Sequence, residues 1–213
     1  MKQSYGDALR ADAKRAPEAW EARSRWAARR ILTAVCFRET AESAFQKAGS
    51  ILLPTIGFYY ALFHMGTAAL YLERCTSPDD LRRLRHSRLR NLIEARLVQT
   101  GNLPESYLSL LERLQVAREY ANYVLGGKMA GDFDEPIHRD SGDDLYDRTG
   151  AEFEHTLTFI RAVSTEFRGI VDPIERIAVT IGDDIGDDVY SMYLSPDDEQ
   201  RVTDYLIATR LTT

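Results

Sequence analysis

The chain has 213 residues, 44% of them hydrophobic and 28% charged, the balance of a folded globular protein rather than of a disordered tail or a fibrous repeat. Its net charge is −6, and its two cysteines, Cys36 and Cys75, form no C-x-x-C pair, which argues against a disulfide scaffold and a cysteine zinc site. The opening MKQSYGDALRADAKR lacks the apolar run of a secretory signal, so a cytoplasmic setting is expected.

Residues 17–48 suit one helix, or two joined by a bend. Pro17 stands at a first helical position, and Trp20, Trp26, Ala27, Ile31, Ala34 and Cys36 supply a rough apolar stripe. Between Lys47 and Glu73 no residue carries a formal charge, and ILLPTIGFYYALFHMGTAALYL is long enough to cross a bilayer. Pro54, Gly57, His64, Gly66 and the mid-segment tyrosines suit a buried helix from Thr55 to Arg74 better than a span, so no membrane is expected. Ser77-Pro78-Asp79-Asp80 supplies an N-cap, a proline at the first helical position and first-turn acids. A third helix follows, with Leu81, Leu84, Leu89, Leu92, Ile93 and Leu97 inward, ending at Gly101. The fourth, after Leu103-Pro104-Glu105, has the clearest period: Tyr107, Leu110, Leu111, Leu114, Ala117, Ala121, Val124 and Leu125, with a stop at Gly126-Gly127.

Beyond it lies a Gly- and Asp-rich connector, then a fifth helix over 150–168 with Phe153, Leu157, Ile160 and Val163 on one side. Ile177, Val179 and Ile181 alternate, as do Tyr190, Met192 and Leu194, which favours a β-hairpin around GDDIGDD. Ile174, Ile177, Ala178, Ile181 and Ile185 also fit a helix, which stays open as the second reading. A last helix begins at a second Ser-Pro-Asp-Asp, Ser195 to Asp198. The expected fold is mainly α. It divides into a helical bundle over 1–128, an acidic connector over 129–147 and a C-terminal appendage over 148–213. Residues 1–128 hold 20 Lys+Arg and 13 Asp+Glu, hence +7, and residues 129–213 hold 7 and 20, hence −13. A basic front and an acidic rear imply two functional surfaces, or one part folded over the other.

The run Phe58-Tyr59-Tyr60-Ala61-Leu62-Phe63-His64 resembles the Y-Y-A-x-F segment of HEPN domains. His86 then opens HSRLRNLIEARLVQTG, similar to that family's histidine and amphipathic helix. LPESYLSLLERLQVAREYANY is similar to its closing helix, which in smaller members ends in Arg-x-x-Ala-Asp-Tyr. Here the segment reads Arg118-Glu119-Tyr120-Ala121-Asn122-Tyr123, with asparagine in place of the acid. The resemblance spans residues 30–125. It implies an antiparallel helical bundle, a homodimer and a place in prokaryotic defence or toxin–antitoxin systems, where a nucleotidyltransferase-like antitoxin is one expected partner.

HEPN ribonucleases pair an arginine with a histidine, with some four to six residues between them. Metal-free RNA cleavage needs a base and an acid near neutral pH, which histidine serves, and positive charge on the phosphorane-like transition state, which arginine supplies. The formal match, Arg148 to His155, lies outside the region of resemblance. Glu152 and Glu154 would repel a phosphate there, and a solvated helix start is its ordinary meaning. The denser cluster surrounds His86. On one continuous helix, Arg82, Arg83 and Arg90 would share its face, with Arg85, Arg88 and Arg96 nearby, either as a solvated basic face or as a contact for RNA or nucleotide. The candidate catalytic set is His86, Arg82, Arg118 and Asn122, and the candidate nucleic-acid contacts are Arg82, Arg83, Arg85 and Arg90. His64 and the tyrosines at 59, 60, 71, 120 and 123 are expected in the core or an interface. Asp132, Asp134, Glu135, His138 and Asp140 do not follow the EF-hand spacing, so no metal or other cofactor is expected. Two functions follow: an RNA- or nucleotide-directed protein of the ribonuclease-toxin type, active or degenerate, or a non-enzymatic docking module for a protein partner.

Overall fold

The computed structural model describes residues 3–48, 52–82, 84–121, 142–179 and 194–211. Their elements are α1 (Gln3–Arg15), α2 (Pro17–Ala48), α3 (Leu52–Leu72), α4 (Pro78–Arg82), α5 (His86–Ile93), a π-helical turn (Glu94–Val98), α6 (Glu105–Glu119), α7 (Gly142–Phe167), α8 (Glu175–Val179) and α9 (Pro196–Ala208). Among the described residues the fold is mainly α and contains no strand.

The uncharged α3 lies at the centre, against α2, α5, α6 and α7. Pro54 falls in its first turn, where backbone N–H groups have no intrahelical partner to lose. Two glycines set the closeness of the packing. A Cβ on Gly57 would stand 2.6 Å from the Ala41 Cβ on α2, and one on Gly66 would stand 2.6 Å from Ile93 Cδ1 and 3.0 Å from the Tyr107 hydroxyl. Tyr107 is fully buried and donates to the Leu62 carbonyl at 2.6 Å, so α6 is pinned to α3 by a polar group that finds its partner inside the core.

Both Ser-Pro-Asp-Asp motifs cap helices as the sequence predicts. The Asp79 amide donates to Ser77 Oγ at 3.3 Å and the Asp198 amide to Ser195 Oγ at 3.2 Å. Gly101, at φ 73°, closes the turn after the π-helical segment, with its amide on the Val98 carbonyl and that of Asn102 on the Leu97 carbonyl.

Four expectations change. The single helix around His86 is two: α4 stops at Arg82 and α5 begins at His86, so no continuous helical face carries Arg82, Arg83 and His86 together. Trp26 does not join the apolar stripe and is 47% exposed. The segment 175–179 is helical, so Ile177 and Val179 are not strand residues. The remainder of the hairpin reading, 180–193, lies outside the described residues, as do the connector from 129 to 141 and the helix stop at Gly126-Gly127.

The fourth change is the largest. In their described part, residues 148–213 pack into the core of the bundle: Phe153, Leu157, Ile160, Val163, Phe167, Ile177, Val202 and Leu206 belong to the same buried cluster as Leu9, Ile31, Phe58 and Leu62. The apolar face of α7 covers α3 and α1, and α9 lies on α2. Ion pairs crossing this boundary run in both senses: Arg10 to Glu166 at 2.5 Å and Lys47 to Asp197 at 3.6 Å, but also Arg176 to Glu21 at 2.5 Å and Arg201 to Glu42 at 3.3 Å. Apolar burial joins the parts, and the difference in net charge does not explain the contact.

Candidate functional site

A cluster of rings and cations gathers on the N-terminal half of α3. Two successive turns of that helix present Tyr59, Tyr60, Phe63 and His64, α5 brings His86 with its first residue, α6 brings Arg118, and α2 brings Arg30 and Phe37. The break between α4 and α5 positions the histidine: because the chain re-enters helix at His86, its ring turns in against Tyr59 and Phe63, at centroid distances of 5.5 and 5.1 Å.

The His86 ring is held from both nitrogens. The Tyr59 hydroxyl bonds to Nδ1, and Arg118 Nη1 lies 3.5 Å from Nε2. A guanidinium has donors only, so Nε2 meets it with a lone pair and the ring proton sits on Nδ1, facing the tyrosine oxygen. Burial pushes the imidazole below the usual histidine range. The adjacent Arg118 cation pushes the same way, and Glu119 pulls weakly against both. Burial holds the Tyr59 phenol above its ordinary value.

Arg118 is itself 8% exposed. Its guanidinium carbon lies 5.0 Å from the Tyr59 ring centroid and 6.0 Å from that of Tyr60. Its polar contacts are long: Tyr60 Oη at 3.3 Å, His86 at 3.5 Å and Glu119 at 3.5 Å. Its Nε is buried without a hydrogen-bond partner. A buried guanidinium ordinarily finds a short, two-pronged carboxylate or a set of carbonyls. This one has neither among the described residues.

Across Tyr60 stands a second histidine–arginine pair. Arg30 Nη1 reaches His64 Nδ1 at 3.0 Å, which by the same donor argument leaves the His64 proton on Nε2. Its ring stacks on Phe37 at 5.6 Å and Tyr60 at 6.3 Å, with interplanar angles of 15° and 27°. Burial, and then the Arg30 cation, push His64 down to about 3. Both histidines are therefore neutral near pH 7 and lie in a cation-rich, ring-lined surface, an arrangement suited to an anion beside a planar group.

Of the candidate residues from sequence, the structure brings His86 and Arg118 together. Arg82 ends α4 with its side chain outside the described residues, where Arg83 and Asn122 also fall. Arg85 is exposed just ahead of α5, and Arg90 bonds to Glu112 at 2.7 Å. The formal Arg–His match is not a unit: Arg148 donates to Asp144 at 2.9 Å and His155 pairs with Glu152 at 3.1 Å. Sequence reasoning placed Tyr59, Tyr60 and His64 in the core and passed over Arg30 and Phe37. The four-residue step from Tyr60 to His64 was the available signal. Arg30 gave none, since it is one of several arginines on α2.

Among the described residues no group of three His, Cys, Asp or Glu side chains is placed to hold a metal, and no helix is long and apolar enough to cross a membrane. No protein-family model, curated protein or solved structure matches the chain.

Proposed function

We propose that the protein is a HEPN-like, RNA- or nucleotide-directed bundle acting as a homodimer, in which Arg118 contacts phosphate and His86 transfers protons. One observation carries this reading. The three sequence segments that support the resemblance, around Tyr59-Tyr60, His86 and Arg118, are far apart in the chain and converge on one half-buried cluster. A neutral histidine beside an arginine with no strong partner among the described residues has the chemistry that metal-free phosphodiester cleavage calls for. The test is cleavage of labelled single-stranded RNA by purified protein. His86→Ala is expected to reduce turnover by about 10²-fold or more, with binding nearly intact, and Arg118→Gln to weaken binding. Absence of cleavage by the unmodified protein, with and without added divalent metal, would transfer the assignment to the non-enzymatic docking module. That second reading is favoured by Trp26, whose exposed ring lies 5.0 Å from the Arg29 guanidinium.

A further inference from the structure

Arg118 occupies the face of His86 from which a proton would reach Nε2. The ring's other nitrogen is committed to Tyr59, and Tyr60 and Phe63 close its sides from α3. Among the described residues, the charged groups facing it come from α6 and are Arg118 and Glu119. Glu119 also accepts from Gln115 at 3.0 Å. On α5 itself, Arg88 is bound to Asp80 and Arg90 to Glu112, so neither is turned to the ring. While Arg118 stays in place, an imidazolium would have to form against a guanidinium.

We propose that a phosphoryl anion arms this site: by taking the Arg118 guanidinium as its own partner it clears Nε2, and His86 then takes up one proton from solvent. This coupling of ligand binding to protonation rests on the phosphate-directed reading above. The geometry behind it is the incomplete bonding of Arg118. Three long contacts, at 3.3, 3.5 and 3.5 Å, and a buried Nε with no partner among the described residues are exchanged for two short charge-assisted bonds to an oxyanion. The incoming negative charge also reverses the local field, so the proton that was repelled becomes favoured. His86 thus turns from a neutral group into a proton donor only when a phosphate is present, and an empty site holds no stray acid.

His64 does not share this behaviour. Arg30 faces its Nδ1, its proton is on Nε2, and its ring packs against Phe37 and Tyr60, which also stack on each other. His155, exposed and paired with Glu152, lies outside the cluster.

The experiment is an NMR titration of the protein with labelled imidazoles, alone, with inorganic sulfate, and with a short oligothymidylate that lacks the 2′-hydroxyl and cannot be cleaved by it. Both probes keep their charge through the titration. The expected result is that His86 titrates about one unit higher with the oligothymidylate, equivalent to about ten-fold tighter binding once the site is protonated, while His64 and His155 stay where they were. An equal shift with sulfate assigns the effect to any tetrahedral anion, and a shift with the oligonucleotide alone assigns it to a diester. In Arg118→Gln the free protein is expected to show the raised His86 titration without any ligand, and added ligand to leave it unchanged. Binding of the oligothymidylate with no change at His86 overturns the coupling and leaves the phosphate-directed reading intact. No binding of either probe overturns the coupling and the phosphate contact at Arg118 together, and RNA cleavage then decides the wider reading separately.

Discussion

The C-terminal end of α3 and its N-terminal half both collect arginine, tyrosine and an ionisable partner, and they are finished differently. At the C-terminal end every charge is answered. Arg23 donates through Nε to the Tyr71 carbonyl at 2.7 Å and through Nη2 to the Glu73 carbonyl, closing carbonyls that a helix end leaves open. Glu73 accepts from the Tyr5 hydroxyl at 3.2 Å, the Cys75 amide at 2.9 Å and Thr76 Oγ1 at 2.7 Å, and Arg74 donates to Asp12 at 2.8 Å. In the N-terminal half, Arg118 has long contacts and a bare Nε, and Arg30 is turned to a histidine. A buried arginine closed by short bonds to backbone carbonyls holds a fold together, whereas one left with long contacts is held ready for something else.

The sharpest way to break this comparison is to replace both arginines with the same residue. Arg23→Met strands the Tyr71 and Glu73 carbonyls and loses the guanidinium that lies 4.3 Å from the Trp20 ring centroid. Leaving two buried acceptors unmet is expected to cost about 2–4 kcal/mol in urea denaturation. Arg118→Met removes an incompletely bonded cation and is expected to change stability by less than about 1 kcal/mol while weakening RNA binding. Equal losses from the two variants would mean that Arg118 is another fold-holding residue and that the under-used donors carry no functional meaning.

That contrast also bears on what could be read from the sequence. The helices over 17–48 and 55–74, both serine caps and the inward faces of α6 and α7 were legible because periodicity and capping are local, whereas α1 and the early start of α7 at Gly142 were not read. The merging of residues 148–213 with the bundle was not, because charge bias is visible along a chain and shared burial is not: Phe153 and Phe58 enter one core although they differ in no feature that composition records. Half of the site was legible by type. His86 and Arg118 were named, yet their meeting depends on the helix restarting at His86 after Leu84 and Arg85, where no proline or glycine marks the interruption. Tyr59 and His64 looked like core residues since they sit in the most apolar helix, and Tyr59 is indeed buried. Its function as the partner of His86 Nδ1 is a tertiary fact.

The next effect is a pH dependence that belongs to His64. Its folded value is about 3 against 6.5 for the free side chain, so the unfolded chain binds a proton that the folded protein refuses. Stability contributed by the neutral ring is fully present above about pH 6.5 and is lost as the pH falls toward 3, with a slope approaching about 1.4 kcal/mol per unit. His64→Gln keeps an acceptor for Arg30 without a titrating group. It is expected to flatten the decline in stability between about pH 6 and 4, read as urea midpoints measured across that range. An unchanged slope would place the acid-sensitive group elsewhere and weaken the account of the Arg30 pair.

The smallest effect tests how far the site extends beyond Arg118. Arg90 lies one turn after His86 on α5 and therefore on the same helical face, but it is bound to Glu112 at 2.7 Å, with both side chains well exposed. Surface pairs of this kind contribute about 0–1 kcal/mol, so neither Arg90→Gln nor Glu112→Gln is expected to shift the denaturation midpoint measurably. Their effects on RNA affinity are expected to have opposite signs. Losing Arg90 removes a cation that can swing to phosphate, whereas losing Glu112 releases it and removes a nearby negative charge. Each phosphate that an arginine neutralises adds roughly one counterion to the salt dependence of binding, so a salt titration of the two variants separates a direct phosphate partner from a general change in net charge. If both variants bind as the unmodified protein does, the anion-binding surface ends at Arg118 and Arg30, and the remaining arginines of α5 form a solvated face held by α4 and α6.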